Sequence, residues 1–384
     1  MPVEAIAPTG TTTMELTVSK FELLRELTAT QGVVERKTTI PILSNYLFEA
    51  SGDKLSLTAT DLDLSLRTSC AAKVKKEGAC TIPARKLHDY VKLLPDAEIT
   101  IKLLENHWVS IRCGRSNTKM VGMAKSNFPT LPTFPTAGVV KIPGEVLRSM
   151  IAKTGFAIAN EESRYTLNGA LMVLKPESAT MVATDGHRLA HIERPGEKFD
   201  GVSGEMKTLV PKKCMDELRS LLDSTDAEMV EFAKDESTLY FRIGQRLLTS
   251  RQLTGQFPNY EAVLPKDNSK SVTLNADELS QAISRVAQFA DERSRAVRLK
   301  LEKGELKLSA SSTETGESED SLETDYNGDA LTIGFNAQYV LDFLKAAGSG
   351  EVKLELKDAQ SAGQLRPVGS EDYKYRYIVM PMRI

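Results

Sequence analysis

Several things are scarce in this 384-residue chain, and each scarcity excludes a class of protein. Cysteine is limited to Cys70, Cys80, Cys113 and Cys214, and no two stand at the close spacing of a zinc site or a redox pair. No apolar run approaches the length of a membrane-crossing helix. The first 13 residues, MPVEAIAPTGTTT, have neither a basic start nor a long apolar stretch. They read as a Pro- and Thr-rich disordered extension rather than a secretory signal, which predicts a cytoplasmic protein with reduced thiols. Basic residues are not in excess either: 49 Lys and Arg stand against 52 Asp and Glu, for a net charge of −3. Charge alone therefore speaks mildly against a dedicated nucleic-acid binder, unless the two signs are segregated on the surface.

What is present is ample core material, 41% hydrophobic against 26% charged residues, and a length suited to two or three domains. The chain also repeats itself three times. Each copy opens with a short strand and an amphipathic helix, over residues 16–29, 140–157 and 272–290, started by Ser19, Pro143 and Asn275. Next come LTATD (57–61), MVATD (181–185) and LSASS (308–312). A second helix follows in IPARKLHDYVKLL, VPKKCMDELRSLL and FNAQYVLDFLKAA. The copies close on the strand-rich WVSIRCGR, LYFRIGQR and YRYIVMPMR. Landmarks in the same order, offset by about 124–130 residues, indicate one fold used three times. Strands arrive in runs rather than alternating with helices, so the expected class is α+β with antiparallel sheets. The Pro-rich FPTLPTFPT and VLPKDNSK mark the joins. The expected organisation is an extension over 1–13 and domains over 14–137, 138–268 and 269–384.

The segment Asp185-Gly186-His187-Arg188 carries an acid, a possible base, a cation and a glycine. Asp-Gly between two apolar runs is a strong two-residue hairpin signal, with His187 and Arg188 opening the return strand. An enzymatic reading needs a nucleophile held near the histidine, and nothing in the sequence marks one. His187 and His191, four apart on a strand, stand too far apart to share a metal. The expectation is no catalytic residue, no metal and no cofactor.

The motifs ATDGHRL, RYxLNG (Arg164 to Gly169), FPNYxxVLP (Phe257 to Pro265) and the closing VMPMRI closely resemble the bacterial replicative sliding clamp, the beta subunit of DNA polymerase III. The resemblance spans residues 14 to 384. It implies three clamp-fold domains per chain and a head-to-tail homodimer closed around duplex DNA. Sheets lie outside and two helices per domain line the hole. It implies a processivity factor without catalytic activity, one that tethers the replicative polymerase catalytic subunit, the clamp loader, and other polymerases and repair proteins through short peptides. A sliding protein cannot read bases, and enclosure lets weak phosphate attraction suffice.

Carried over residue by residue, the peptide pocket comprises Arg164, Leu167, Thr184, Gly186, His187, Arg188, Leu189, Pro258, Val263, Ile378, Met380, Pro381, Met382 and Arg383. Within it Arg188 and Arg383 are expected to pair acidic or amide groups of the peptide, and two methionines offer a repackable lining. Duplex contact is implied for Lys37, Arg85, Tyr165, Lys212 and Lys213. Thr166 stands where the family often has a second aromatic. Met120 and Phe289 map to the dimer contact, although each by itself could equally be core, and Thr118 and Gln288 replace apolar neighbours. The predicted helices carry Lys20, Arg25, Lys86, Lys92, Arg148, Lys153, Arg219, Arg285 and Lys345, while the expected loop 311–325 carries six acids and no base. Two rival readings make separate predictions. A hydrolase or nucleotidyl-transfer enzyme built on Asp185 and His187 would lose a chemical activity on His187→Ala. A protein-binding repeat scaffold would not stay on circular DNA.

Overall fold

The computed structural model describes residues 14–35, 38–161, 165–369 and 372–383. The first repeat contains β1 (Glu15–Ser19), α1 (Lys20–Thr30), β2 (Asn45–Ser51), β3 (Lys54–Thr60), β4 (Leu64–Ala71), β5 (Lys73–Lys76), β6 (Gly78–Pro83), α2 (Ala84–Leu93), β7 (Glu98–Leu103), β8 (Trp108–Cys113) and β9 (Ser116–Val121). The second contains β10 (Val140–Pro143), α3 (Gly144–Thr154), β11 (Gly169–Lys175), β12 (Ser178–Thr184), β13 (Arg188–Pro195), β14 (Met206–Pro211), α4 (Lys212–Asp223), β15 (Met229–Lys234), β16 (Thr238–Ile243) and β17 (Arg246–Arg251). The third contains β18 (Lys270–Asn275), α5 (Ala276–Val286), β19 (Ala296–Glu302), β20 (Glu305–Ser312), β21 (Gly316–Glu323), β22 (Leu331–Asn336), α6 (Ala337–Ala347), β23 (Glu351–Leu356), β24 (Gly363–Pro367) and β25 (Lys374–Val379).

Local chemistry accounts for these elements. In α5, Leu279, Ala282, Ile283 and Val286 recur at helical spacing and all are buried. Asn275 and Asn336 cap α5 and α6, each side-chain oxygen accepting two backbone N–H groups of the first turn. Ser19 stands at the start of α1 but makes no side-chain cap. In β19, Val297, Leu299 and Leu301 are buried while Arg298 and Lys300 face water, the alternation of a half-buried strand.

Packing divides the chain into two compact units, one of residues up to Lys141 with Ser220–Arg251, the other of Ile142–Arg219 with Gln252 onward. The middle repeat thus contributes to both. The first unit holds an eight-stranded sheet, β10-β15-β16-β17-β4-β3-β2-β6, and a five-stranded one, β5-β1-β7-β8-β9. The second holds β14-β11-β12-β13-β25-β24-β23-β18 and the four-stranded β21-β20-β19-β22. Each eight-stranded sheet forms where the closing strand of one repeat pairs with the third strand of another repeat's meander. β17 pairs antiparallel with β4 from Leu247↔Arg67 to Ser250↔Leu64. In the same way β25 pairs with β13 from Arg188↔Val379 to Glu193↔Lys374. The corresponding strands left over are β9 and β21, each terminal in its sheet.

The joint in the first unit is fastened by a buried ion pair. Arg246 on β17 donates to both carboxylate oxygens of Glu26 on α1, at 3.0 and 3.2 Å. Thr68 and Arg25 donate to the same carboxylate at 2.6 and 2.8 Å. Burial would raise the Glu26 pKa, but these hydrogen bonds outweigh it and hold the group below its ordinary value.

Three expectations change here. The acidic segment 311–325 is not a loop: Gly316–Glu323 is strand β21, paired with β20 along its whole length. The Asp185-Gly186 turn is longer than two residues, because Thr184 pairs with Leu189 and four residues lie between them. And YRYIVMPMR is a single closing strand, equivalent to β9 and β17, whereas WVSIRCGR and LYFRIGQR cover the preceding strand and turn.

Candidate functional site

The outer face of the second unit's long sheet can be built from its register. Leu209, Leu171, Val182, His191 and Arg376 form one row across five strands. The next row runs Thr184, Leu189, Ile378 and Gln364. The apolar members of these rows join Val173, Leu253 and Phe257 in one buried cluster, with Leu167, Tyr260, Leu264 and Ala362 packed on it half-buried. Gly169 opens β11 beneath this cluster. A Cβ there would stand 2.3 Å from the Val210 carbonyl and 2.7 Å from Leu253, which is the physical reason the RYTLNG segment ends in glycine.

Above the cluster sits the turn after β12. The Asp185 carboxylate accepts the His187 and Arg188 backbone N–H groups at 2.9 and 3.1 Å, and the Thr184 hydroxyl donates to the Arg188 carbonyl at 2.6 Å. Gly186 carries the positive φ, 89°, that the reversal requires. The Met380 N–H donates to the His187 carbonyl at 2.9 Å, so the C-terminal segment is laced to the turn. The Met382 N–H then donates to Gly334 at 2.8 Å. Met380 and Val263 are 44% and 45% exposed, large apolar side chains left open beside a buried apolar floor.

Arg188 does not face the opening. It donates to Asp185 at 3.0 Å, to Asp342 of α6 at 2.6 Å and to the Phe156 carbonyl at 2.8 Å. Its guanidinium also lies 4.3 Å from the Tyr339 ring centroid. Burial alone would lower its pKa, yet Tyr377, Asp342 and Asp185 outweigh that and hold it above the ordinary arginine value. These bonds make it a fastener of the joint between β13 and α6 rather than a group reaching for an incoming peptide. Arg383 likewise points elsewhere, lining a hollow of about 290 Å³ with Arg298, Glu317 and Glu319.

The other expected positions are distributed as follows. Leu167, Leu189 and Ile378 meet in the cluster, and Pro258 follows its Phe257. Arg164 and Lys37 lie outside the described residues. Arg85 and Lys213 are exposed in the first turns of α2 and α4, and Tyr165 is 51% exposed. Lys212 is half-buried and bonded to Asn160. Among the other helix cations Arg25, Lys86, Lys92, Arg219, Arg285 and Lys345 are exposed, Arg25 pairing with Glu22 and Glu26 and Arg285 with Asp320, while Lys20 is half-buried and pairs with Asp96. Met120 is buried on terminal strand β9, and Phe289 is half-buried just after α5.

His191 emerges as a further pocket-floor residue. It is 7% exposed, its ring centroid lies 5.6 Å from that of Tyr260, and its Nδ1 is buried without a partner. Burial, with Arg376 nearby, pushes its pKa below the usual histidine value. Its sequence position, two residues after Leu189 on an outward face, could have signalled this. Among the described residues no group of three or more His, Cys, Asp or Glu is placed to hold a metal, and no helix is long and apolar enough to cross a membrane.

Profiles of three families match in succession. They are the N-terminal domain of the DNA polymerase III beta subunit over residues 14–132, its central domain over 141–259 and its C-terminal domain over 261–383. The beta sliding clamp of Pseudomonas putida is 38% identical over 376 residues, covering 97% of this chain and all of that protein. That of Escherichia coli K12 is 35% identical over 374 residues at the same coverage. Among solved structures, the Caulobacter crescentus beta sliding clamp superposes with a TM-score of 0.90 at 35% identity, covering 97% of this chain and 100% of that one. The Pseudomonas aeruginosa sliding clamp bound to griselimycin gives 0.89 at 36%, again over 97% and 100%.

Proposed function

The chain belongs to the family of DNA polymerase III beta subunits, the bacterial sliding clamps, and on that premise we propose how its parts divide the work. Its function is that of a processivity factor in DNA replication. Two copies close head to tail into a ring around duplex DNA, and the ring tethers the replicative polymerase without chemistry of its own, in the cytoplasm. The three repeats are its domains, with boundaries near residues 137 and 268.

The observation that carries this is the sheet topology. Within the chain, closing strands β17 and β25 each extend the meander of a neighbouring repeat. Among the described residues, the corresponding strands without such a partner are β9 and β21. A strand edge seeks pairing, and β9 of one copy against β21 of another reproduces the joint the chain makes twice. Such a heterologous contact closes a ring when the rotation per copy allows it. Met120 on β9 and Phe289 after α5 fall at that third joint. Exposed Arg85, Lys213 and Tyr165, together with Lys212, supply sequence-independent contact to the duplex.

The apolar floor around Leu189 and Ile378, flanked by Pro258, Val263, Met380 and Met382, takes the short peptides of polymerases and the clamp loader. Arg188 serves that pocket by holding its turn in place. The test combines mass and topology. In solution the protein should have twice the chain mass of 42.2 kDa. Once loaded it should stay on a circular duplex and leave when the circle is cut. A monomer at micromolar concentration, or equal loss from circular and linear DNA, would refute the ring.

A further inference from the structure

Beside the peptide pocket lies a cleft of about 690 Å³ between β14 and the segment 252–261. Its apolar lining includes Leu171, Leu209, Leu253 and Phe257, with Tyr260 at one side. Those same side chains belong to the cluster that contains Leu189 and Ile378, so cleft and pocket share one continuous apolar floor. The register shows the path: Leu209 pairs with Leu171, and Leu171 with Val182 beside the pocket turn. Gln252 also lines the cleft, and its side-chain oxygen is buried without a hydrogen-bond partner. A buried acceptor without a donor is costly unless a ligand supplies the donor.

We propose that the partner-peptide groove continues past the pocket into this cleft. There it takes residues flanking the pocket-bound core of the peptide: an extended segment that places an aliphatic or aromatic side chain on the Leu171–Leu209–Phe257 floor, while the half-buried Gln252 side chain turns its unpartnered amide oxygen out to accept one backbone N–H. This rests on reading the pocket as a peptide site. The occupant is a peptide rather than a small apolar molecule, because the apolar floor lies next to an amide acceptor and is continuous with the pocket. Recognition of this kind combines apolar anchors with a few placed polar groups.

The test uses the full-length protein and fluorescein-labelled peptides tiling the catalytic subunit of the replicative polymerase. The tightest-binding peptide is made as its short core and as the same core extended by several native residues on either side. The extension should tighten binding roughly tenfold or more, the yield of one buried apolar side chain and one hydrogen bond less the cost of ordering the added residues. Thr254→Trp, which fills the cleft from an exposed lining position, should remove that gain and leave the core peptide unaffected. Gln252→Ala should remove part of it. Equal affinity of core and extended peptide overturns the cleft proposal, as does a gain that survives Thr254→Trp. If no peptide from the polymerase binds at all, the pocket reading itself fails, and this inference with it.

Discussion

His191 illustrates what a single side chain reports. It is buried, with Tyr260 over its ring, and Nδ1 has no partner. Burial and Arg376 on β25 disfavour its protonated form, while Glu193 and Glu261 favour it more weakly. The folded pKa therefore lies below the ordinary 6.5, and the unfolded chain takes up the proton first as pH falls. His191 leaves stability intact above about pH 6.5 and removes it progressively below, until the folded group also protonates. Thermal denaturation of wild type and His191→Phe should give melting temperatures that converge or cross between pH 7.5 and 5.5, the variant gaining relative to wild type in acid. A constant difference across that range would mean that His191 does not titrate on unfolding. The sequence marks His187 and Arg188 as a turn, but not the fate of Arg188. Its engagement with Asp342 and Tyr339 depends on α6, about 150 residues away, a distance that local patterns do not span.

Among elements, β21 is where local signals and tertiary structure disagree. Gly316–Glu323 alternates Glu, Ser and Asp, residues of low strand propensity, and so reads as a loop. It forms a strand because β20 offers a full ladder, and it tolerates acid because a terminal strand is half solvated. Glu317, Glu319 and Glu323 are exposed there, while β9 presents exposed Lys119 and is preceded by exposed Arg115. If these edges meet between copies, their charges attract. Glu317→Lys with Glu319→Lys should then weaken self-association by roughly tenfold or more, about 1.4 kcal/mol per factor of ten. Sedimentation across a dilution series would measure this. The wild-type ring should also loosen as salt rises from about 0.1 to about 1 M, where screening shortens from roughly 10 to 3 Å. An unchanged dissociation constant in the double variant would remove β21 from the interface. The other elements were legible because apolar periodicity and caps agree with the tertiary structure, as in α5 and α6.

For the molecule as a whole, threefold repetition was visible in the sequence, yet the two compact units were not, because pairing such as β17 on β4 joins segments far apart in the chain. That pairing separates two kinds of stability. The joint within the first unit buries Glu26 against Arg246, with side chains 3% and 9% exposed, and forms whenever the chain folds. The joint between copies is bimolecular, so its occupancy depends on concentration. Arg246→Met would leave the buried Glu26 carboxylate with Thr68 and the half-exposed Arg25 alone, and should cost folding stability up to the roughly 3–5 kcal/mol of a broken buried pair. Glu26→Met added to it should recover most of that loss, since an apolar pair can replace a buried ion pair. Neither change touches β9 or β21, so the dimer dissociation constant should stay where it is at temperatures where the variants remain folded. The β21 charge reversal should do the opposite, lowering the mass on dilution without altering the denaturation midpoint of the isolated chain. Denaturant titration and sedimentation on the same three variants decide the matter. If Arg246→Met loosened the ring as much as it loosened the fold, the joints would be coupled, and ring opening would have to involve strain within the chain as well as separation of its ends.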